Sequence, residues 1–211
     1  WVAESLARSG IGHISLMDFD DVCVSNTNRQ IHATQENVGK LKTQVMHKRL
    51  KSINPELQVP LIEERFDANQ VENVFSQSYD LVIDAIDSYY QKCQLIKACW
   101  DRELKMITIG GTGGKSDPTQ IKFSDLNRSQ GDPLLHQTRK ALRVEFGMPR
   151  GKGDWNIHSV FSSEKPQFHD GKCPEGPLDC KTGFGTASFL TGSFGLATAW
   201  HGIELLLRRI K

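Results

Sequence analysis

Acidic, amide and basic side chains that could bind a nucleotide phosphate recur over the first half of the chain. Asp18 begins the sequence Asp-Phe-Asp-Asp, Asn26 and Arg29 follow in Ser-Asn-Thr-Asn-Arg-Gln, and Lys42 ends Gly-Lys-Leu-Lys. Asp87 closes the later run Leu-Val-Ile-Asp-Ala-Ile-Asp. Arginine and lysine neutralise phosphate charge, and a carboxylate can hold an accompanying magnesium ion. Asn26 and Arg29 are three positions apart, so both can reach one phosphate from a single helical turn.

Each of these side chains also has a simpler interpretation. Arg29 could pair with a nearby aspartate, and Lys42 could be one of several solvated lysines on a helix. Asp87 could cap a helix, and Asp18 could be a solvated carboxylate at a strand end. For each residue alone the simpler interpretation is favoured, whereas together and in this order they favour a nucleotide site. The position of Asp87 adds support, because ligands of open α/β sheets bind at the carboxyl ends of strands.

The hydrophobic pattern predicts a doubly wound α/β fold in which helices and strands alternate. Residues 1–9 have helical spacing up to Gly10, and residues 13–18 alternate like a half-buried strand. We therefore expect the second half of a strand-helix-strand unit, with the first strand and its glycine-rich loop missing from this chain. Asp18 then has the spacing of the carboxylate that holds ribose hydroxyls. The pattern continues with helices at 39–52, 68–77 and 88–102 and strands at 57–63, 80–86 and 105–109.

The order of these motifs resembles the ubiquitin-activating-type (ThiF-like) superfamily, which includes the activators of molybdopterin and thiamine sulfur carriers. The D-x-D, S-N-x-x-R-Q and G-x-x-K series carries the resemblance, and the family pattern returns at 53–55 and 81–87. The resemblance implies a Rossmann-like doubly wound sheet that binds ATP and Mg²⁺ and adenylates a carboxylate. It implies that Asp18 binds the ribose and Asp87 orients the metal. It also implies that Asn26, Arg29 and Lys42 bind the nucleotide, and that Arg29, Lys42 and Asp87 are catalytic.

Longer motifs are similar to one branch of that superfamily, the tRNA threonylcarbamoyladenosine dehydratases. They lie at residues 26–33, 109–121, 160–164 and 179–185. In that branch ATP activates the carboxylate of the threonylcarbamoyl group on a tRNA adenosine beside the anticodon. A nitrogen or oxygen of the same group then displaces AMP and gives a cyclic, dehydrated nucleoside. Ring closure is favoured because the attacking atom is already tethered.

Other functions stay open at this point. One is adenylation of a ubiquitin-like sulfur-carrier protein, which the absence of a CxxC...CxxC zinc motif disfavours. Another is a non-catalytic, nucleotide-binding scaffold. An NAD-dependent dehydrogenase is disfavoured, because Arg29, Lys42 and Asp87 have no place in hydride transfer.

The five cysteines form no CxxC pair and no regular framework. This pattern is typical of reduced thiols in a cytoplasmic protein. Cys173 and Cys180 have a poor spacing for a zinc ribbon, so we expect no zinc. Cys180 is open to a reactive role, although burial as a small apolar side chain is commoner. Cys23, Cys93 and Cys99 are predicted to pack in the core.

A second group of charged residues could contact RNA. Asp132 and Pro133 predict the start of a helix over 133–146. Basic residues on that helix and on the following loop could meet tRNA phosphates, and an indole could stack on a base. These residues are Arg139, Lys140, Arg143, Arg150, Lys152 and Trp155. The alternative is an amphipathic helix whose basic outer face serves solubility, followed by a flexible loop.

The charge and hydrophobic composition of the chain limit its possible binding partners. The 211 residues include 26 basic and 25 acidic side chains and carry a net charge of +1, so no overall field attracts RNA or anionic lipid. The uncharged segment 182–203 is close to membrane-spanning length. Its glycines and hydroxyl side chains favour a tightly packed helix or a dimer interface, so we expect no membrane.

These patterns predict a single adenylating domain over 1–211. Its nucleotide-binding core extends over about 1–115, and a substrate and dimer region extends over about 116–211. The resemblance implies a homodimer and a tRNA substrate carrying threonylcarbamoyladenosine. It also implies a cysteine-desulfurase or sulfur-acceptor system as a partner.

Overall fold

Parallel strands form the centre of the molecule in a computed structural model that describes residues 1–167 and 185–207. Strands β1 (Leu16–Met17) and β2 (Leu61–Ile62) pair in parallel. A second sheet has the order β3-β4-β6-β5, with β3 (Val82–Asp84), β4 (Met106–Ile109), β5 (Ile121–Asp125) and β6 (His158–Ser162). β3, β4 and β6 are parallel, and β5 is antiparallel to β6.

The helices are α1 (Val2–Arg8), α2 (Lys42–Ile53), α3 (Val71–Val74), α4 (Tyr89–Asp101), α5 (Pro133–Val144) and α6 (Ser188–Leu207). α4 and α5 pack on one face of the second sheet, and α6 packs on the other. Side chains alternate along β4, so Met106 joins a core with α4 and α5, whereas Ile107 packs against α6. This layering confirms the doubly wound α/β fold predicted from the pattern.

Glycines let α6 approach α1 closely. A β-carbon at Gly195 would overlap the β-carbon of Trp1, and one at Gly192 would lie 3.5 Å from the Trp1 ring. The glycine-rich composition of this segment therefore serves tight packing, as expected. Across 1–167 and 185–207, no helix combines the length and apolar character needed to cross a membrane.

Several elements differ from the predicted bounds for local reasons. The strand expected at 57–63 shortens to Leu61–Ile62, because Pro60 has no N–H to donate to the ladder. The helix expected from 39 begins at Lys42, because Gly39 has a positive φ of 81° and its N–H donates to Val22. The helix expected at 68–77 divides into a 3₁₀ turn, Ala68–Gln70, and the short α3. Strands β5 and β6 were not predicted.

The cysteines divide between the core and the surface. Cys93 and Cys99 are fully buried, and burial raises the pKa of both thiols to about 12. Cys23 is exposed, so its predicted place in the core is wrong. Cys173 and Cys180 lie outside the described residues.

Candidate nucleotide site and basic groove

Asp18 and Lys42 are connected by polar contacts at the carboxyl end of β1. Asp18 follows the strand directly, and its Oδ1 accepts a hydrogen bond of 2.9 Å from the backbone N–H of Asp20. Asp20 pairs with Lys42, with 2.7 Å between Oδ2 and Nζ. Only 12% of the Lys42 side chain is exposed, so Lys42 is not simply one of the solvated lysines.

Burial shifts the pKa of two side chains in this region, Asp18 and His32. It raises the pKa of the Asp18 carboxyl, against the opposing effects of the Asp20 N–H and of Lys42. It lowers the pKa of His32 to about 4, with nearby positive charges adding to the effect. His32 is therefore neutral at physiological pH. Its Nε2 is buried and has no hydrogen-bond partner within the described residues.

Asn26 and Arg29 share one turn, as their spacing predicts. The Arg29 N–H donates to the Asn26 carbonyl at 3.0 Å. The Asn26 side chain is buried and accepts from the Cys23 N–H at 3.0 Å, so it stabilises the turn. The Arg29 guanidinium donates to the carbonyl of Ser25 and to the amide oxygen of Asn28. It forms no ion pair within the described part of the chain, which removes the simple pairing alternative.

Asp87 lies beyond the carboxyl end of β3 and is exposed. It does not cap α4, whose N-cap position belongs to Ser88. In the described ranges its carboxylate makes no hydrogen bond or ion pair, and no group of three or more acidic, histidine or cysteine side chains forms a metal cage there. Magnesium is commonly held by one or two carboxylates together with substrate phosphates. Asp87 fits that role.

A buried ion pair fixes the ends of β3, which leads to Asp87, and of the neighbouring β4. Lys92 on α4 donates to Oδ2 of Asp84 at 2.8 Å, to Thr108 at 3.3 Å and to the Ile109 carbonyl at 3.1 Å. Both charged side chains are 0% exposed. Oδ1 of Asp84 accepts from the Ile86 N–H at 2.9 Å. Sequence reasoning missed this network, although its aspartate lies in the motif that supplied Asp87.

The glycine-rich segment after β4 is tied to the start of α5. Lys115 donates to the Gly111 carbonyl at 2.9 Å and to Oδ2 of Asp132 at 2.8 Å. Asp132 also caps α5, because its Oδ1 accepts from the Leu135 N–H at 2.9 Å. Both members of the Lys115–Asp132 pair are 0% exposed, so the tie is fully buried.

Sequence motifs that lie far apart in the chain meet around this segment. Glu164 accepts hydrogen bonds from the backbone N–H groups of Ser116 and Asp117, and the bond from Asp117 is the largest cause that lowers its pKa. The Gly114 N–H donates to the carbonyl of Gly185 at 2.9 Å. The motif at 109–121 therefore contacts two of the other three motifs that resemble the dehydratase branch.

Five of the six predicted RNA-contact residues, all but Trp155, line a groove of about 1010 Å³ between α5 and the loop that follows it. Lys140, Arg150 and Lys152 are exposed there, together with Arg128, which sequence reasoning missed. Arg128 pairs with Asp154 in the following loop. The groove therefore has a concentration of positive charge that the net charge of the chain does not reveal.

Three of the predicted contact residues have mainly internal roles. Trp155 is 3% exposed, and its indole N–H donates to the Pro149 carbonyl, so the expectation that it stacks on a base is wrong. The Arg143 guanidinium lies 5.2 Å from the Trp155 ring and binds Asn127. Arg139 is also buried: it donates to Ser129, and burial lowers its pKa.

Comparison with known proteins identifies the family. The chain matches the ThiF family over residues 1–209. It is 41% identical to the tRNA threonylcarbamoyladenosine dehydratase of Haemophilus influenzae, over 99% of this chain and 82% of that protein. Identity to the Escherichia coli dehydratase is 42%, with the same coverage of 99% and 82%. The chain belongs to the ThiF family, among the tRNA threonylcarbamoyladenosine dehydratases.

The fold agrees with this assignment. It is similar to the crystal structure of the Escherichia coli dehydratase, TcdA, in complex with ATP, with a TM-score of 0.90 and 40% identity. The match covers 100% of this chain and 82% of that one. The resemblance inferred from the sequence motifs is therefore confirmed.

The Lys115–Asp132 tie generates a test of stability. We expect Gly110→Ala to destabilise the protein, because a β-carbon there would lie 2.7 Å from Oδ2 of Asp132. Overpacking of this kind costs about 1–3 kcal/mol, and denaturant unfolding measures the loss. Gly111→Ala is the matched control, since its β-carbon would lie 3.8 Å from Leu134. Equal stabilities for the two variants would contradict close packing of Gly110 against the Lys115–Asp132 pair.

Proposed function

We propose that this protein uses ATP to adenylate the carboxylate of threonylcarbamoyladenosine in tRNA and closes the modified group into a cyclic, dehydrated nucleoside. The main support for this proposal is the position of three side chains, which lie at or just beyond the carboxyl ends of parallel strands: Asp18, Lys42 and Asp87. Membership of the dehydratase family and likeness to an ATP complex of a relative support it.

Different residues of the chain have different roles in the adenylation step. Asp18 accepts hydrogen bonds from the ribose hydroxyls, while Arg29 and Lys42 oppose the negative charge on the triphosphate. Lys42 is held in place by Asp20. Asp87 would hold magnesium, which would neutralise phosphate charge. A carboxylate oxygen of the substrate then bonds to the α-phosphorus, and the bond to pyrophosphate breaks.

Ring closure needs no nucleophile from the protein. A nitrogen or oxygen of the threonylcarbamoyl group attacks the activated carbonyl, and AMP leaves with the carboxylate oxygen. Cys93 and Cys99 are unsuited to covalent catalysis, because burial raises the pKa of both thiols to about 12. The main contribution of the site is positioning of a tethered group.

The groove offers a surface for the tRNA backbone. Lys140, Arg150 and Lys152 project into it and would neutralise phosphates without reading bases. Arg128 adds a further guanidinium. The tie between Lys115 and Asp132 connects α5, which forms one wall of the groove, to the glycine-rich segment after β4.

We also propose that two copies pair through α6. Large apolar side chains on this helix are exposed and recur at spacings of four and seven residues, which places them on one face. They are Phe189, Leu196, Trp200 and Leu207. Phe123 of β5 extends this surface, with its ring 5.4 Å from that of Trp200. An exposed apolar patch of this kind is typical of a protein interface. A cysteine-desulfurase or sulfur-acceptor partner stays a prediction from the sequence.

Activity is tested with ATP, Mg²⁺ and tRNA carrying threonylcarbamoyladenosine, with the nucleoside followed by mass spectrometry. We expect loss of one water. Arg29→Ala, Lys42→Ala and Asp87→Ala should each lower turnover by about 100-fold or more and leave the circular dichroism spectrum unchanged. Lys48→Ala is the control, because Lys48 is an exposed lysine on α2. Normal turnover in the folded site variants would refute the site assignment.

Substitutions in the groove should separate RNA binding from ATP binding. We expect Lys140→Ala, Arg150→Ala and Lys152→Ala to raise the KM for tRNA and to reduce its salt dependence, with the KM for ATP unchanged. Lys122→Ala on β5 removes an exposed charge outside the groove and should have no effect. An unchanged KM for tRNA in a triple variant would contradict the groove assignment.

The dimer is tested by sedimentation velocity. We expect the wild-type protein to sediment as a dimer and Leu196→Glu as a monomer, since a charge at this position would be buried in the interface. Val144→Glu adds the same charge at an exposed apolar position on α5 and should remain dimeric. A monomeric wild type would overturn this part of the proposal.

A further inference from the structure

Asn28, which the steps above do not use, connects Arg29 to a distant part of the chain. Its Oδ1 accepts a hydrogen bond from Nη1 of Arg29 at 3.0 Å. Its Nδ2 donates to the carbonyl of Thr186 at 2.9 Å, a contact across 158 positions in sequence. A guanidinium only donates and a carbonyl only accepts, so these two partners fix the orientation of the amide.

Thr186 is in turn fixed to the glycine-rich segment after β4. Its hydroxyl donates to Oγ1 of Thr112 at 3.2 Å. The neighbouring Gly185 accepts from the Gly114 N–H at 2.9 Å. Asn28 therefore links the Arg29 guanidinium to the backbone that leaves the carboxyl end of β4.

The main chain of Arg29 is held separately from its side chain. Its carbonyl accepts hydrogen bonds from the indole N–H of Trp1 at 2.9 Å and from the hydroxyl of Thr191 at 2.8 Å. Loss of the Asn28 amide would leave both bonds in place. The Arg29 guanidinium would keep its bond to the Ser25 carbonyl and lose its only bond to another side chain within the described residues, so it would be less constrained on an unchanged backbone.

We propose that Asn28 is a positioning residue that holds the Arg29 guanidinium in the orientation that receives the triphosphate of ATP. This inference rests on the proposed function of the same site. An arginine that is ordered in advance loses less conformational freedom when it binds a phosphate. Asn28 itself is exposed, so its side chain contributes little to the core.

The Asn28→Ala variant tests the proposal directly. We expect its Kd for ATP in the presence of Mg²⁺ to rise about tenfold, the size expected for loss of a hydrogen bond to a charged group. The thermal midpoint and the KM for tRNA should stay at wild-type values. Thr27→Ala is the matched control: it removes a hydrogen bond of 2.8 Å to the Val24 carbonyl in the same turn and touches neither Arg29 nor Thr186.

A double-mutant cycle separates positioning from a general structural effect. If Asn28 acts through Arg29, Asn28→Ala should weaken ATP binding less than twofold when it is added to Arg29→Ala. A tenfold loss in both backgrounds would overturn the inference, as would wild-type ATP affinity in Asn28→Ala. A wild-type protein that binds no ATP would overturn the proposed function and the role of Asn28 with it. A wild type that binds ATP, beside an unaffected Asn28→Ala, would overturn only the role of Asn28.

Discussion

The buried ion pair between Lys92 and Asp84 determines the geometry of the strand edge on which the site is built. Two charges without solvent exposure are stable only when each has good partners, and here Lys92 also binds Thr108 and the Ile109 carbonyl. Removal of one partner from such a pair costs about 3–5 kcal/mol. The pair joins α4 to the ends of β3 and β4. The loop that carries Asp87 starts at one of these ends, and the glycine-rich segment starts at the other.

A second buried pair extends the same edge toward the basic groove. Lys115 binds Asp132, and Asp132 caps the helix that supplies Lys140 to the groove. The glycine-rich segment after β4 and the basic groove are thus connected through α5 and buried polar contacts instead of through a free linker. Such a connection suits a reaction on one nucleoside of a large RNA. A small error in the position of the reacting group relative to ATP would lower the rate strongly.

The sequence allowed the alternation of elements and the nucleotide motifs to be predicted, because both depend on local patterns. Helix α5 begins at Pro133 as predicted, since Asp132 and Pro133 are clear start signals. It ends within two residues of its predicted end. Strands β5 and β6 were missed, because they pair with each other across long sequence separations. The burial of Trp155 was missed for the same reason: Asp125, thirty residues earlier, accepts its backbone N–H. The partner of Lys42 was also hidden, although it lies within the D-x-D motif.

The proposed reaction requires that the substrate carboxylate itself becomes bonded to AMP. The most direct measurement uses tRNA in which the carboxylate of threonylcarbamoyladenosine carries ¹⁸O, with ATP and Mg²⁺ supplied in single turnover. We expect one labelled oxygen to appear in AMP while the nucleoside loses one water. Labelled oxygen in inorganic phosphate beside ADP, or dehydration without label in AMP, would contradict it.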